Sequence, residues 1–109
     1  MTGRPEHAPI VVDGTGVRRQ LADGSHEAVS WHELKEVAIR TIPDAMWGED
    51  AFFLLVGSQG DGCAVPSRHP AADDLMARLQ ELPGFDDKAF FEAMTSTEDS
   101  LFVCWQRPA

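Results

Sequence analysis

Two cysteines and four histidines are the residues of this 109-residue chain whose types could support nucleophilic or metal chemistry. Cys63 follows a glycine-rich turn and His69 stands six residues on, across a loop. A thiol beside an imidazole is the minimal apparatus for thiol-dependent catalysis, so Cys63 and His69 are the candidate catalytic pair. Cys104 sits between Val103 and Trp105 in an apolar run, where strand alternation turns it away from both neighbours. His7, His26, His32 and His69 are scattered, and neither cysteine has a second cysteine or a histidine within four residues. The short-spaced pairs of a structural zinc site are therefore missing, and no metal or cofactor is expected. Gly14-x-Gly16 lacks the third glycine of a dinucleotide loop, position 19 being Arg, and Gly57, Gly60 and Gly62 lack the Lys-Ser/Thr ending of a phosphate loop. Glu49-Asp50, Asp73-Asp74 and Asp86-Asp87 are adjacent carboxylates, which diverge on a helix and make no acid/base pair.

A different kind of site is suggested by Trp47. It lies with Met46 in the polar loop Pro43 to Asp50, next to Glu49 and Asp50. A bulky apolar pair there either lids the core or anchors a contact, with the two carboxylates on its rim. Met46, Trp47, Glu49 and Asp50 are the candidate binding residues, assisted by carboxylates of the second helix region.

Charge narrows the partner. Nine Lys and Arg stand against 18 Asp and Glu, a net charge of −9, which argues against a nucleic-acid partner because phosphate contacts need local positive charge. The segment from Ala71 to Asp99 carries eight acids and two bases. Such a surface keeps a chain in solution and steers a basic protein toward it. No basic stretch followed by an apolar core opens the chain, and the longest apolar run, Ala51 to Val56, is far too short for a membrane span. A cytoplasmic protein with two buried thiols is expected, since three tryptophans are available to fill the core without a disulfide.

The elements that must position these residues follow from pattern. Residues 1–9 read as a flexible tail and 10–107 as one domain. Ile10 to Val12 predicts a strand, Val17 to Leu21 an extended segment, Asp23-Gly24 a hairpin turn and His26 to Ser30 the return strand. Residues 30–42 fit two readings. Ser30 and Glu33 match a helix-capping box, whereas Val37, Ile39 and Thr41 alternate and are β-branched; the favoured reading is a single turn leading straight into a strand. Ala51 to Val56 predicts a central strand, and Cys63 to Pro66 a short one ended by proline. Leu75, Leu79 and Leu82 recur at helical spacing up to Pro83-Gly84. Asp86 caps a second helix, Asp87 to Met94, with Phe90, Phe91 and Met94 as its apolar side, and Leu101 to Trp105 closes the chain as a strand. This order predicts an α+β fold, a mostly antiparallel sheet of about five to six short strands with two helices on one face.

The chain resembles a family of small uncharacterised bacterial proteins over most of residues 10–107. The resemblance rests on Asp-Gly-x-x-Glu-x-Val-x-Trp-x-x-Leu-x-x-Val at Asp23 to Val37, Phe52-Phe53-Leu54-Leu55, Val65-Pro66, Leu79-Gln80-x-Leu82-Pro83-Gly84-Phe85-Asp86 and Phe102-x-Cys104-Trp105. It implies no catalytic residues. The Trp-x-x-Leu-x-x-Val segment is also similar to small bacterial domains with a pleckstrin-homology-like sheet, which implies binding or scaffolding. Two functions follow as expectations. The first is a non-enzymatic protein-interaction protein, immunity- or antitoxin-like, with a basic partner. The alternative is a small thiol-dependent enzyme using Cys63 and His69. A homodimer is expected because the short Cys63–Pro66 strand leaves a sheet edge to protect.

Overall fold

Asp23-Gly24 turns the chain back where the sequence predicts. Gly24 has φ of 91°, a left-handed conformation that costs glycine nothing, and the turn is closed by Leu21 N–H donating to the Ser25 carbonyl at 2.8 Å. The computed structural model describes residues 9–21, 23–42, 51–67, 69–96 and 99–108. Its first three strands, β1 (Ile10–Val12), β2 (Gly16–Gln20) and β3 (His26–Ser30), form an antiparallel meander. The turn between β1 and β2 is held by Asp13, whose carboxylate accepts the N–H groups of Thr15 and Gly16. Gly16 opens β2 because a Cβ there would run into the backbone of Val29 and Ser30 on the facing strand.

Ser30 then ends the meander. Its hydroxyl accepts the Glu33 N–H at 3.2 Å and caps a one-turn 3-10 helix, Trp31–Glu33, that leads directly into β4 (Leu34–Thr41). The favoured reading of residues 30–42 is what the structure contains. The turn also corrects the sheet expectation. Among the described residues there are seven strands in two sheets, not five to six in one. Because the 3-10 turn reorients the chain, β3 pairs with β2, and β4 takes new partners. The second sheet has the order β6-β5-β4-β7, all antiparallel, from β5 (Ala51–Gly57), β6 (Gly62–Pro66) and β7 (Ser100–Gln106).

Helices α1 (Ala72–Leu79) and α2 (Asp87–Thr95) connect β6 to β7. Ala72, Leu75 and Leu79 of α1 and Ala93 of α2 join one core with Val37, Ile39, Phe53, Leu55 and Val65 of the four-stranded sheet and Val17 and Val29 of the meander. Asp86 caps α2 as expected, accepting the Ala89 N–H at 2.9 Å. Three local expectations change. Leu82 lies beyond the end of α1, half-buried in the corner before α2. The inward stripe of α2 is Ala89, Phe90 and Ala93, which leaves Phe91 and Met94 in solvent, Phe91 at 67% exposure. A bulge between Val37 and Ala38 on the β4–β7 ladder turns Cys104 and Trp105 inward together, so they do not alternate.

The two sheets meet at the edge of β6. Arg19 on β2 donates from Nη1 to the Ala64 carbonyl at 2.7 Å, and Glu27 on β3 accepts the Ala64 N–H at 3.1 Å. Arg19 and Glu27 are cross-strand neighbours, 3.7 Å apart as an ion pair. The β6 edge, whose lack of protection was the reason to expect a dimer, is thus already occupied at Ala64. Arg19→Met keeps the aliphatic stem but leaves the Ala64 carbonyl without its donor and the half-buried Glu27 carboxylate without its counter-charge. Urea denaturation should show a loss of about 1–3 kcal/mol. Glu27→Gln, which still offers an oxygen to the Ala64 N–H, should cost less.

Candidate functional site

Cys63 and His69 are both near the β6–α1 connection, and each already has a structural task. Cys63 points into the core from β6 at 3% exposure. Burial pushes its thiol up from the usual 9.0 to about 11, the Glu27 carboxylate adds to this, and the Arg19 guanidinium opposes it. At neutral pH the sulfur is protonated, the reverse of the lowered pKa that a nucleophilic thiolate requires. The ring of His69 accepts the Ala71 N–H through Nδ1 at 2.9 Å, and its carbonyl accepts the Ala72 N–H at 2.9 Å, so it shapes the entry to α1. Cys104 is equally buried and its thiol is also pushed up to about 11, by desolvation and then by the Asp86 carboxylate. Both cysteines are free thiols.

The candidate binding residues Met46, Trp47, Glu49 and Asp50 lie outside the described residues. The other two tryptophans are structural. Trp31 donates from Nε1 to the Asp13 carbonyl at 2.7 Å and ties the 3-10 turn to the meander. Trp105 donates from Nε1 to the Pro83 carbonyl at 2.8 Å and fixes the corner before α2. Among the described residues no group of three His, Cys, Asp or Glu could hold a metal ion.

Two surface features were not singled out in the sequence. One is an open cleft of about 620 Å³ beside the 3-10 turn, lined by His32, Glu33, Lys35, Ser58, Arg107 and Pro108. Its strongest cation is committed elsewhere: Arg107 donates to the carbonyls of Leu34 at 2.7 Å, Trp31 at 3.1 Å and His32 at 3.3 Å, and lies 5.5 Å over the Trp105 ring. The cleft is therefore a by-product of a clamp between the end of β7 and the start of β4. The other feature is the outward side of α2, where Phe91 and Met94 stand exposed among Asp87, Lys88 and Glu92, all exposed too. The sequence pattern hid it, since Phe90, Phe91 and Met94 have the spacing of an inward stripe. The expected carboxylates of the helical region are at the surface as well: Asp73, Asp74, Glu81, Asp86, Asp87, Glu92 and Asp99 are all exposed.

No protein-family model, curated protein or solved structure matches the chain.

The thiols give a signed pH dependence. Below the unfolded value of 9.0 they are protonated in both states. Between 9.0 and about 11 the unfolded chain loses protons that the folded chain keeps, so folding stability falls as pH rises through that window. Thermal melts across this range should show the decline, and replacing both cysteines by alanine should flatten it. Mass spectrometry of alkylation near neutral pH should find Cys63 and Cys104 slower than a free model thiol, and equal to it once the chain is denatured.

Proposed function

We propose that this chain is a non-enzymatic protein-binding module for a basic partner, the role an immunity- or antitoxin-like protein plays in the cytoplasm. The observation that carries the reading is the exposed Phe91 on α2, next to Met94 and rimmed by the carboxylates of Asp87 and Glu92. A rigid aromatic offers a large contact area at low entropic cost, and exposed aromatics of this kind anchor interfaces. The surrounding carboxylates and the net charge of −9 select a partner of opposite sign and speed its encounter. Support for a reducing compartment comes from two free thiols in a small domain that folds around a core without them being joined. Against the thiol-enzyme alternative stands the burial of Cys63, whose pKa of about 11 leaves no thiolate at neutral pH.

The test compares wild type with Phe91→Ala as immobilised baits for basic proteins of the source cell. Because Phe91 is solvent-exposed, its removal should leave the melting temperature unchanged. Binding of the captured partner should weaken by about 2 kcal/mol or more, roughly thirtyfold. Glu92→Gln should mainly slow association and reduce its salt dependence. A basic partner held equally well by Phe91→Ala would overturn this site, and an active thiol chemistry lost in Cys63→Ala would overturn the function.

A further inference from the structure

The face of the four-stranded sheet turned away from the helices is apolar and has no layer over it among the described residues. Register places three cross-strand rows there. The middle row is Val103, Ala38, Leu54 and Ala64; one outer row is Leu101, Arg40, Phe52 and Pro66; the other is Gln106, Glu36, Val56 and Gly62. Ala38 at the centre is buried, and the rest of the face is half-buried or exposed and lies outside the core cluster. Leu101 is 54% exposed and Val103 42%, and Val56 is exposed as well. Three exposed aliphatic side chains on one sheet face, flanked by half-buried Phe52 and Leu54, mark it as a contact surface.

We propose that this face is the interface between two copies of the chain, stacked sheet on sheet about a two-fold axis that runs across the strands over Ala38. Charge selects both the occupant and the axis. Glu36 and Arg40 lie on the same face, two residues to either side of Ala38 on β4. An axis across the strands reverses β4 of the second copy, so Glu36 of each copy faces Arg40 of the other, and Val103 and Leu54 face their own mates. An axis along the strands would set Arg40 against Arg40 and Glu36 against Glu36, which repels. Asp99, bound to Arg40 Nη2 at 2.8 Å, holds the guanidinium at the rim, and Gln106, donating to Glu36 at 3.1 Å, holds the carboxylate at the other rim. The acidic helices pack on the opposite side of the sheet, where Phe90 of α2 stacks on Phe53, so the bulk of the negative charge is kept away from the joint. Two sheets meeting this way form the aligned sandwich in which twisted sheets pack at about 10 Å.

Sedimentation velocity across the micromolar range tests this independently of the α2 surface. Wild type should sediment at two chain masses, and Phe91→Ala should do so as well. Val103→Lys, at a position exposed in the single chain, should keep the wild-type circular dichroism spectrum and weaken the dimer about 100-fold or more, because it buries two unpaired charges. Glu36→Arg and Arg40→Glu should each weaken it, and the double reversal should recover affinity lost by both. One chain mass for wild type throughout would overturn the proposal. So would a dimer unaffected by Val103→Lys, which would place the contact on another surface.

Discussion

Where β6 runs along the margin of its sheet, the peptide groups of Ala64 would face outward unpaired if Arg19 and Glu27 did not reach them. Those two side chains neutralise each other across the β2–β3 ladder and also complete the hydrogen bonding of a strand in another sheet. The arrangement lets the meander sit beside β6 without joining its ladder. Val17 and Val29 are thereby brought into the same core as Leu55, Cys63 and Val65. The contact has a cost, because Arg19 Nε is buried with no partner among the described residues. A half-satisfied guanidinium is tolerable here only because its terminal nitrogen meets both a carbonyl and a carboxylate.

Strand β4 is the second constraint. It lies between β5 and β7, and its two sides have opposite characters. Val37 and Ile39 are fully buried in the core, while Glu36, Ala38 and Arg40 form the middle column of the outer face. Register shifts on both of its ladders let this happen in a strand that also has to leave a 3-10 turn. The Arg107 guanidinium donates to the Leu34 and His32 carbonyls and adds a second donor to that of Trp31, so the start of β4 is closed by the residue that follows β7.

Features with local causes were legible in the sequence. The Asp23-Gly24 hairpin, the Ser30 cap with its single turn, the Asp86 cap and the inward Leu75 and Leu79 each depend on residues a few positions apart. What depends on distant partners was not. Nothing near Ser30 says that β3 and β4 will pair with different strands, because that choice is made by packing between sheets. The bulge that turns Cys104 and Trp105 the same way is a property of two strands, not one. On α2, alternation of large and small apolar residues misled: Ala89 and Ala93 mark the buried side by their size, whereas hydrophobicity favours Phe91 and Met94. The Phe91 surface was hidden for that reason, although the carboxylates around it were counted.

The partner strands of β4 differ greatly in how far along the chain they lie. β5 follows it after a short connection, but β7 returns only after both helices, and 59 residues separate Arg40 from the Asp99 it binds. Docking β7 requires closing a loop of that length, an entropic cost that local hairpins such as β2–β3 escape. By loop-closure entropy the meander and the β5–β6 hairpin close at lower cost than the docking of β7. Until it is complete, the flank of β4, the ring of Trp105 and the sulfur of Cys104 remain open to solvent and to other chains. An open strand flank of that kind is the surface through which partly folded chains pair with one another.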